Sequence, residues 1–368
     1  MTAKRLTGLS AGLILTMQAA PVFAYDVNEK LSIGGVLASS IQCQHVSDTA
    51  GSSNACESAS PFQPEMSLRL TESDEIFFKL GFAAGNGLNN ITPFEISPWA
   101  ADMEDDLRDI NGRNRDALLA AWYKYTVTIS DEHSLGFTMG IIDSTDYLDG
   151  NAYANDEYTQ FMNSVLTNGP NVFLPSYDPG IAVQWNRGAW SLNGVLMDVG
   201  ENDDGNNYSF YSLQVGYRVN NSLGAGNYTV LAAGTSEDFL DPGGTELVKR
   251  AGALISFDQA FGKVVGVWGR FGRETDHAAI EHDAIYSAGL DFKGTGWGRE
   301  GDNIGVGYAH FNGGNLNVSH SHVAEAYYRW QLGEFLGLTA DIQHMEDDYR
   351  VGQGLKGWVY GMRAAIEF

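Results

Sequence analysis

Two cysteines, nine prolines and 22 lysines and arginines against 46 aspartates and glutamates mark what this 368-residue chain has little of. The shortage of basic charge leaves a formal −24, which becomes −26 without Lys4 and Arg5 of the N-terminal segment. A chain so acidic repels phosphate, so nucleic acid is excluded as a partner. No apolar run of about 20 residues follows residue 24, which excludes a spanning helix. There is no GxSxG and no convincing Ser/His/Asp grouping, and carboxylates are too abundant for a close pair to signal glycosidase chemistry. An enzyme is therefore not the expectation.

What is present points elsewhere. MTAKRLTGLSAGLILTMQAAPVFA, residues 1–24, has a basic start, an apolar middle and a small-x-small end, the features of a Sec-type signal peptide. The mature chain is expected to run from Tyr25 to Phe368. It holds many glycines (44 in the full chain), 17 tyrosines and 18 phenylalanines, a composition suited to strands and turns. Cys43 and Cys56 suit an oxidising compartment and are close enough to form a disulfide across one short loop.

Period-two segments bounded by turn residues recur at 31–44, 64–71, 75–84, 116–129, 133–142, 179–186, 189–199 and 208–219. They continue at 225–235, 246–258, 262–273, 284–293, 302–312, 321–332, 336–346 and 357–368, which makes sixteen. Short joints at 72–74, 130–132, 187–188, 259–261 and 333–335 alternate with longer connections, the largest at 45–63, 85–115 and 143–178. Tight turns at one end and roomy loops at the other are the pattern of an all-β, antiparallel, meandering transmembrane barrel in a Gram-negative outer membrane. Only a closed barrel puts sheet into lipid without unmet edge hydrogen bonds.

The faces agree. Along VAEAYYRWQL, Ala324, Ala326, Tyr328, Trp330 and Leu332 oppose Glu325, Tyr327, Arg329 and Gln331. The same alternation in WVYGMRAAIEF makes the last strand the one that closes the barrel on outer-membrane lipid, apolar outward and polar inward. Parity puts Arg69, Lys79, Lys124, Arg218, Arg250, Arg270, Arg329 and Arg363 on the inner wall. Acid gathers in the loops, with Asp102, Glu104, Asp105, Asp106 and Asp109 in the second and Asp143, Asp146, Asp149, Asp156 and Glu157 in the third. Opposed wall and loop charge is expected to set a transverse field across a constriction, with weak ion selectivity. His277, His282, His320 and His322 are expected in loops without a scaffold, so neither metal nor cofactor is expected.

The segment IIDSTDYLDGNAYANDEYTQFMNSVLTNGPNVFLPSYDPGIAVQW resembles the part of the OprB-type carbohydrate-selective porins that follows the fifth strand. Ala154-Asn155, the QFMNS of Gln160 to Ser164 and the NGP of residues 168–170 carry the likeness, and LTADIQHMEDDY at 338–349 resembles that family's penultimate strand. The resemblance implies a sixteen-stranded porin with inward-folded loops that passes small sugars or other small hydrophilic solutes. It also implies that the barrel-assembly machinery reads the aromatic C-terminus. A general non-specific porin, a barrel enzyme and a closed structural barrel stay open as alternatives, as does a homotrimer against a monomer.

Overall fold

A computed structural model describes residues 25–47 and 54–368, so the expected signal peptide lies outside the described residues. Its main sheet has eighteen hydrogen-bonded segments. Tyr25–Asp26 is a two-residue addition to the first strand, and Asp74–Leu80 with Phe82–Ala84 is one crossing interrupted at Gly81, which leaves sixteen barrel strands. They are β1 (Leu31–Ser47), β2 (Ala55–Arg69), β3 (Asp74–Leu80 and Phe82–Ala84), β4 (Leu118–Ser130), β5 (His133–Ile142), β6 (Asp178–Arg187), β7 (Trp190–Glu201) and β8 (Asn207–Asn220). The second half comprises β9 (Ala225–Thr235), β10 (Ala251–Phe261), β11 (Val265–Glu274), β12 (His282–Lys293), β13 (Asn303–Gly313), β14 (Val318–Leu332), β15 (Leu336–Tyr349) and β16 (Leu355–Glu367).

Each strand pairs antiparallel with the next, and β16 pairs with β1 from Val36↔Glu367 to Ser47↔Lys356. Phe368 extends that closing ladder, exchanging backbone hydrogen bonds with Gly35 at 2.9 and 3.1 Å. The ring has no free edge, so every strand finds its backbone partners inside the sheet. Outward positions carry the apolar side chains expected of a lipid face, including Phe78, Phe82, Tyr123, Leu196, Val230, Met362 and Ile366.

Three local expectations are corrected. The first long connection is residues 48–54 rather than 45–63, because β2 runs straight through Pro61 and Pro64, which pair with Ala83 and Gly35. The prolines in PFQP look like a break, yet each keeps a place in the ladder. The turn expected at 259–261 lies at 262–264, where Gly262 supplies a φ of +67° that a side chain would resist. His282, His320 and His322 lie on strands rather than in loops.

The inner face also departs from a simple polar lining. Val195, Met197, Phe210, Leu231, Leu254, Trp268, Ile285, Phe311, Val323 and Val359 point inward and join one buried cluster with Tyr147, Leu148, Tyr153, Phe161, Val165, Leu166 and Val172 of the third loop. That loop lies inside the barrel, so a wide arc of wall faces protein instead of water. The wall approaches the loop closely: a Cβ at Gly252 would sit 2.0 Å from the Asn171 carbonyl oxygen.

Cys43 and Cys56 are register partners on β1 and β2, and their sulfurs are bonded. We predict that mass spectrometry of the unreduced protein finds neither thiol free. In intact cells, a cysteine placed at Gly243 in the 236–250 loop should react with an impermeant maleimide while one at Ser73 should not. Labelling of Ser73→Cys would reverse the assigned orientation.

Candidate functional site: the constricted lumen

Two long connections occupy the lumen, loop 2 (residues 85–117) and loop 3 (143–177). Loop 3 has little regular structure, a four-residue helix Ser164–Thr167 and two short turns of 3₁₀ helix, so its backbone groups are met partly by its own side chains, such as Asp149 at the Gly169 amide, and partly from elsewhere. The wall supplies the rest. Glu325 on β14 accepts the Met162 and Asn163 amides at 2.6 and 2.9 Å, and Asn193 on β7 donates to the Tyr147 carbonyl at 2.7 Å. Gln214 on β8 accepts the Asp149 amide at 2.8 Å, and Asp258 on β10 accepts the Ala152 amide at 3.2 Å.

Two wall arginines make the densest contacts. Arg270 on β11 has no exposed side-chain surface; its Nε donates to Asp149 Oδ1 at 2.9 Å. Its remaining donors reach the carbonyls of Asp149, Ala154, Leu166 and Thr167 at 2.6 to 3.3 Å. Arg363 on β16 donates to the carbonyls of Glu157 and Gln160 at 2.6 and 2.9 Å. Both point inward as parity requires, and both are covered by the loop they hold.

The other predicted basic residues are dispersed. Arg250 sits just before β10, forms a paired contact with Glu274 at 2.6 and 2.9 Å, and lies 4.6 Å over the Phe173 ring. Arg329 pairs with Glu367 at 3.0 Å near the end of β16. Arg69 is exposed at the end of β2, and Arg218 donates to the Gly188 carbonyl at the turn side of β8. Lys79 on β3 and Lys124 on β4 remain beside the narrowed passage, Lys79 at 3.6 Å from Glu65 and Lys124 donating to Gln184 at 2.8 Å.

Opposite them stand loop carboxylates. Asp102 accepts from Gln63 and Tyr177 at 2.7 and 2.6 Å, and Asp143 caps the Ser144–Asp146 turn through the Thr145 amide at 2.9 Å. Asp146 feels burial first and the Asp143 charge second, which push its carboxyl up to about 7 against the pull of Lys79 and Lys124. Burial likewise raises Asp102, and raises Asp106 to about 6. The remaining acids of loop 3 are structural: Asp149 is buried with Arg270, and Asp156 caps the Tyr158 and Thr159 amides at 2.7 and 3.1 Å. Glu157, raised by burial to about 8, offers its backbone carbonyl to Arg363 and to the Trp99 indole.

Between the two loops lies a cavity of about 590 Å³, lined by Trp99, Asp102, Asp106, Thr145, Ser164, Thr167, Asn168, Phe173 and Ser176 among others. Sequence reasoning named Asp102 and Asp106 but missed Trp99, Phe173, Thr145 and Asn168, which are unremarkable in a loop until the fold brings them together. Glu65, the register partner of Lys79, was also missed.

A closed sixteen-stranded meander with a loop folded into its lumen is the architecture of an outer-membrane porin channel. The sequence profile of the carbohydrate-selective porin, OprB family, matches residues 131–347, and the chain belongs to that family. An uncharacterised protein of Aquifex aeolicus is 32% identical over 297 residues, 80% of this chain and 84% of that one. The high-pH structure of Pseudomonas putida OprB superposes with a TM-score of 0.72 at 14% identity, covering 92% of this chain and 94% of that chain. The low-pH structure of the same protein gives 0.58 at 11% identity, covering 92% and 93%.

The charge at the narrow passage is acid-dominated, with Glu65, Asp102, Asp143 and Asp146 around Lys79 and Lys124. This differs from the balance expected when all eight basic residues were assigned to an open wall. We predict cation preference that grows between pH 5 and pH 8, because a carboxyl titrating near 7 is neutral at the lower pH and charged at the higher. Reversal potentials across a salt gradient measure it, and Asp146→Asn should flatten the rise. Anion preference at pH 8 would refute the assignment.

Proposed function

We propose that this porin passes small carbohydrates selectively, by diffusion through the gap that loops 2 and 3 leave in the lumen. The observation that carries the reading is the composition of the inter-loop cavity. Trp99 and Phe173 offer apolar ring surface, while Asp102, Asp106, Thr145, Thr167 and Asn168 offer acceptors and donors at close spacing. A sugar presents both kinds of surface, CH faces that pack on rings and hydroxyls that exchange hydrogen bonds. Membership of a family described as carbohydrate-selective supports the same reading.

The electrostatics are compatible with a neutral solute. Carboxylates and lysines on facing sides of a narrow passage orient dipoles and replace the water that a hydroxyl-rich molecule sheds on entry. The field needs fixed groups, and the wall contacts of loop 3 fix them. Arg69, Arg218, Arg250 and Arg329 lie at the ends of the barrel, where their role in this reading is to shape the approach for solutes on either side.

In planar bilayers, mono- and disaccharides at millimolar to molar concentration should reduce single-channel current beyond the effect of bulk viscosity. Asn168→Ala and Asp106→Ala should weaken that block several-fold with little change in sugar-free conductance, since neither side chain anchors loop 3 to the wall. If sugars leave the current of the unmodified channel unchanged, the protein is a general porin.

A further inference from the structure

The histidines on the outer surface were not used by the channel. His310 on β13 and His320 and His322 on β14 all face outward, with His322 in register opposite His310 and His320 opposite Asp348. The rings form a compact group, with centroids 4.7 Å apart for His310–His322, 5.2 Å for His320–His322 and 6.2 Å for His310–His320. Trp330 lies ten residues below His320 on β14. At about 3.3 Å per residue and a tilt of about 40°, that separation is about 25 Å along the membrane normal, the height of the apolar band. The histidines thus stand at the outer interface, within reach of aqueous ions.

The ring nitrogens lie close together. His310 Nε2 is 3.1 Å from Asn312 Oδ1, an acceptor, which favours a proton on Nε2 and leaves Nδ1 unprotonated. That Nδ1 is 3.3 Å from His322 Nδ1, which is also 2.5 Å from the Tyr308 hydroxyl, so the two rings stand at a separation that one shared proton or one shared cation bridges. His320 Nε2 pairs with Asp348 Oδ2 at 2.7 Å, the carboxylate–histidine arrangement that orients metal ligands, and its Nδ1 has only a long 3.4 Å contact with the Ser319 hydroxyl to give up.

We propose that His310, His320 and His322 form a binding site for one borderline divalent transition-metal ion, of the Cu²⁺ or Zn²⁺ class. Two nitrogens each about 2.0–2.1 Å from a tetrahedral metal are about 3.3–3.4 Å apart, the separation already present between His310 and His322. Among the described residues no three ligand groups converge as they stand. His320 completes the set by side-chain rotation on the exposed face, the equally exposed Asp348 side chain following it, since residues two apart on a strand share a face and its ring already neighbours His322. Carboxylates at Glu346 and Asp348, register partners of His322 and His320, add charge that favours a cation. The position of the site lets a metal tie β13 to β14 at the extracellular rim.

The test uses the folded full-length barrel in detergent micelles, titrated with Cu²⁺ at pH 7.5 and followed by electron paramagnetic resonance. One equivalent should bind with hyperfine coupling from at least two imidazole nitrogens and be displaced only by a large excess of Zn²⁺. His310→Ala and His322→Ala should each abolish the signal, and Asp348→Asn should weaken binding about 10-fold to 100-fold. His133→Ala and His344→Ala should leave it unchanged. A stoichiometric site retained in the His310→Ala/His322→Ala double variant, or an adventitious ion only, bound no more tightly than by that variant, would overturn the proposal. These histidines are surface residues, and the heat-modifiable gel shift of a folded barrel shows whether each variant is intact.

Discussion

Arg270 holds one carboxylate and four carbonyl-bearing residues of loop 3 from a fully covered position on the barrel wall. A guanidinium taken out of water is stable only if its donors are met, and removing either partner of such a pair leaves an uncompensated charge at a cost of about 3–5 kcal/mol. The consequence reaches through the whole channel. Internal turns and side-chain caps give loop 3 its local shape, and its seat in the lumen is set by where the wall offers partners: Asn193, Gln214, Asp258, Arg270, Glu325, Gln343 and Arg363. Those side chains come from seven strands, so the loop is fixed by the closed barrel rather than by its own helices. The apolar contacts of Phe161 with Trp268 and Tyr327, ring centroids 5.5 and 5.1 Å apart, then exclude water from the same arc.

Placing the loop there decides which charges a solute meets. Much of the inner wall is spent on holding protein, and the narrow region around Lys79 and Lys124 has Glu65 of β2 and Gln184 of β6 on the wall side and the Asp143–Asp146 turn and Asp102 on the loop side. Loop 2 is seated by the same logic, since the Pro98 carbonyl accepts from Gln42 and Gln343 at 3.1 and 2.9 Å and the Glu95 amide donates to Asp347 at 3.0 Å. Acid that looks like solvated loop in the sequence is therefore part structural cap and part lumen lining. Asp149 and Asp156 belong to the first kind, Asp102 and Asp146 to the second. The two kinds are separated by a few residues and by nothing in their local sequence.

That separation explains what was legible beforehand. The sixteen crossings, the outward apolar faces and the inward direction of Lys79, Lys124, Arg270, Arg329 and Arg363 follow from period two, because a strand in a barrel has only two faces. Loop lengths gave the two ends of the barrel for a similar reason. Inward direction, however, does not distinguish a side chain facing water from one facing a folded-in loop; that depends on contacts between residues more than a hundred positions apart, such as Arg270 with Asp149. Trp99 and Phe173 lacked any signal of their own. Proline was misread in PFQPE for a different cause, since its place in a ladder depends on the register of the neighbouring strand. His282 and His320 were misplaced because β12 and β14 begin before the period-two runs at 284 and 321, and the grouping of His310 with His320 and His322 exists only through the pairing of β13 with β14.

The division between arginine and lysine follows from the same geometry. A guanidinium carries five donors in a planar fork and keeps its charge when covered, so it suits a position where several carbonyl oxygens of an irregular loop must be met at once. Arg270 and Arg363 occupy such positions. An ammonium is a compact, strongly hydrated charge that is better kept in contact with water, and Lys79 and Lys124 flank the open passage with Glu65 and Gln184 as their near neighbours. Exchanging the two types would leave loop carbonyls unmet on one side and put a bulky fork across the passage on the other. The basic residues of the wall thus form two populations that the alternation of the strands cannot distinguish, one that builds the constriction and one that faces what moves through it.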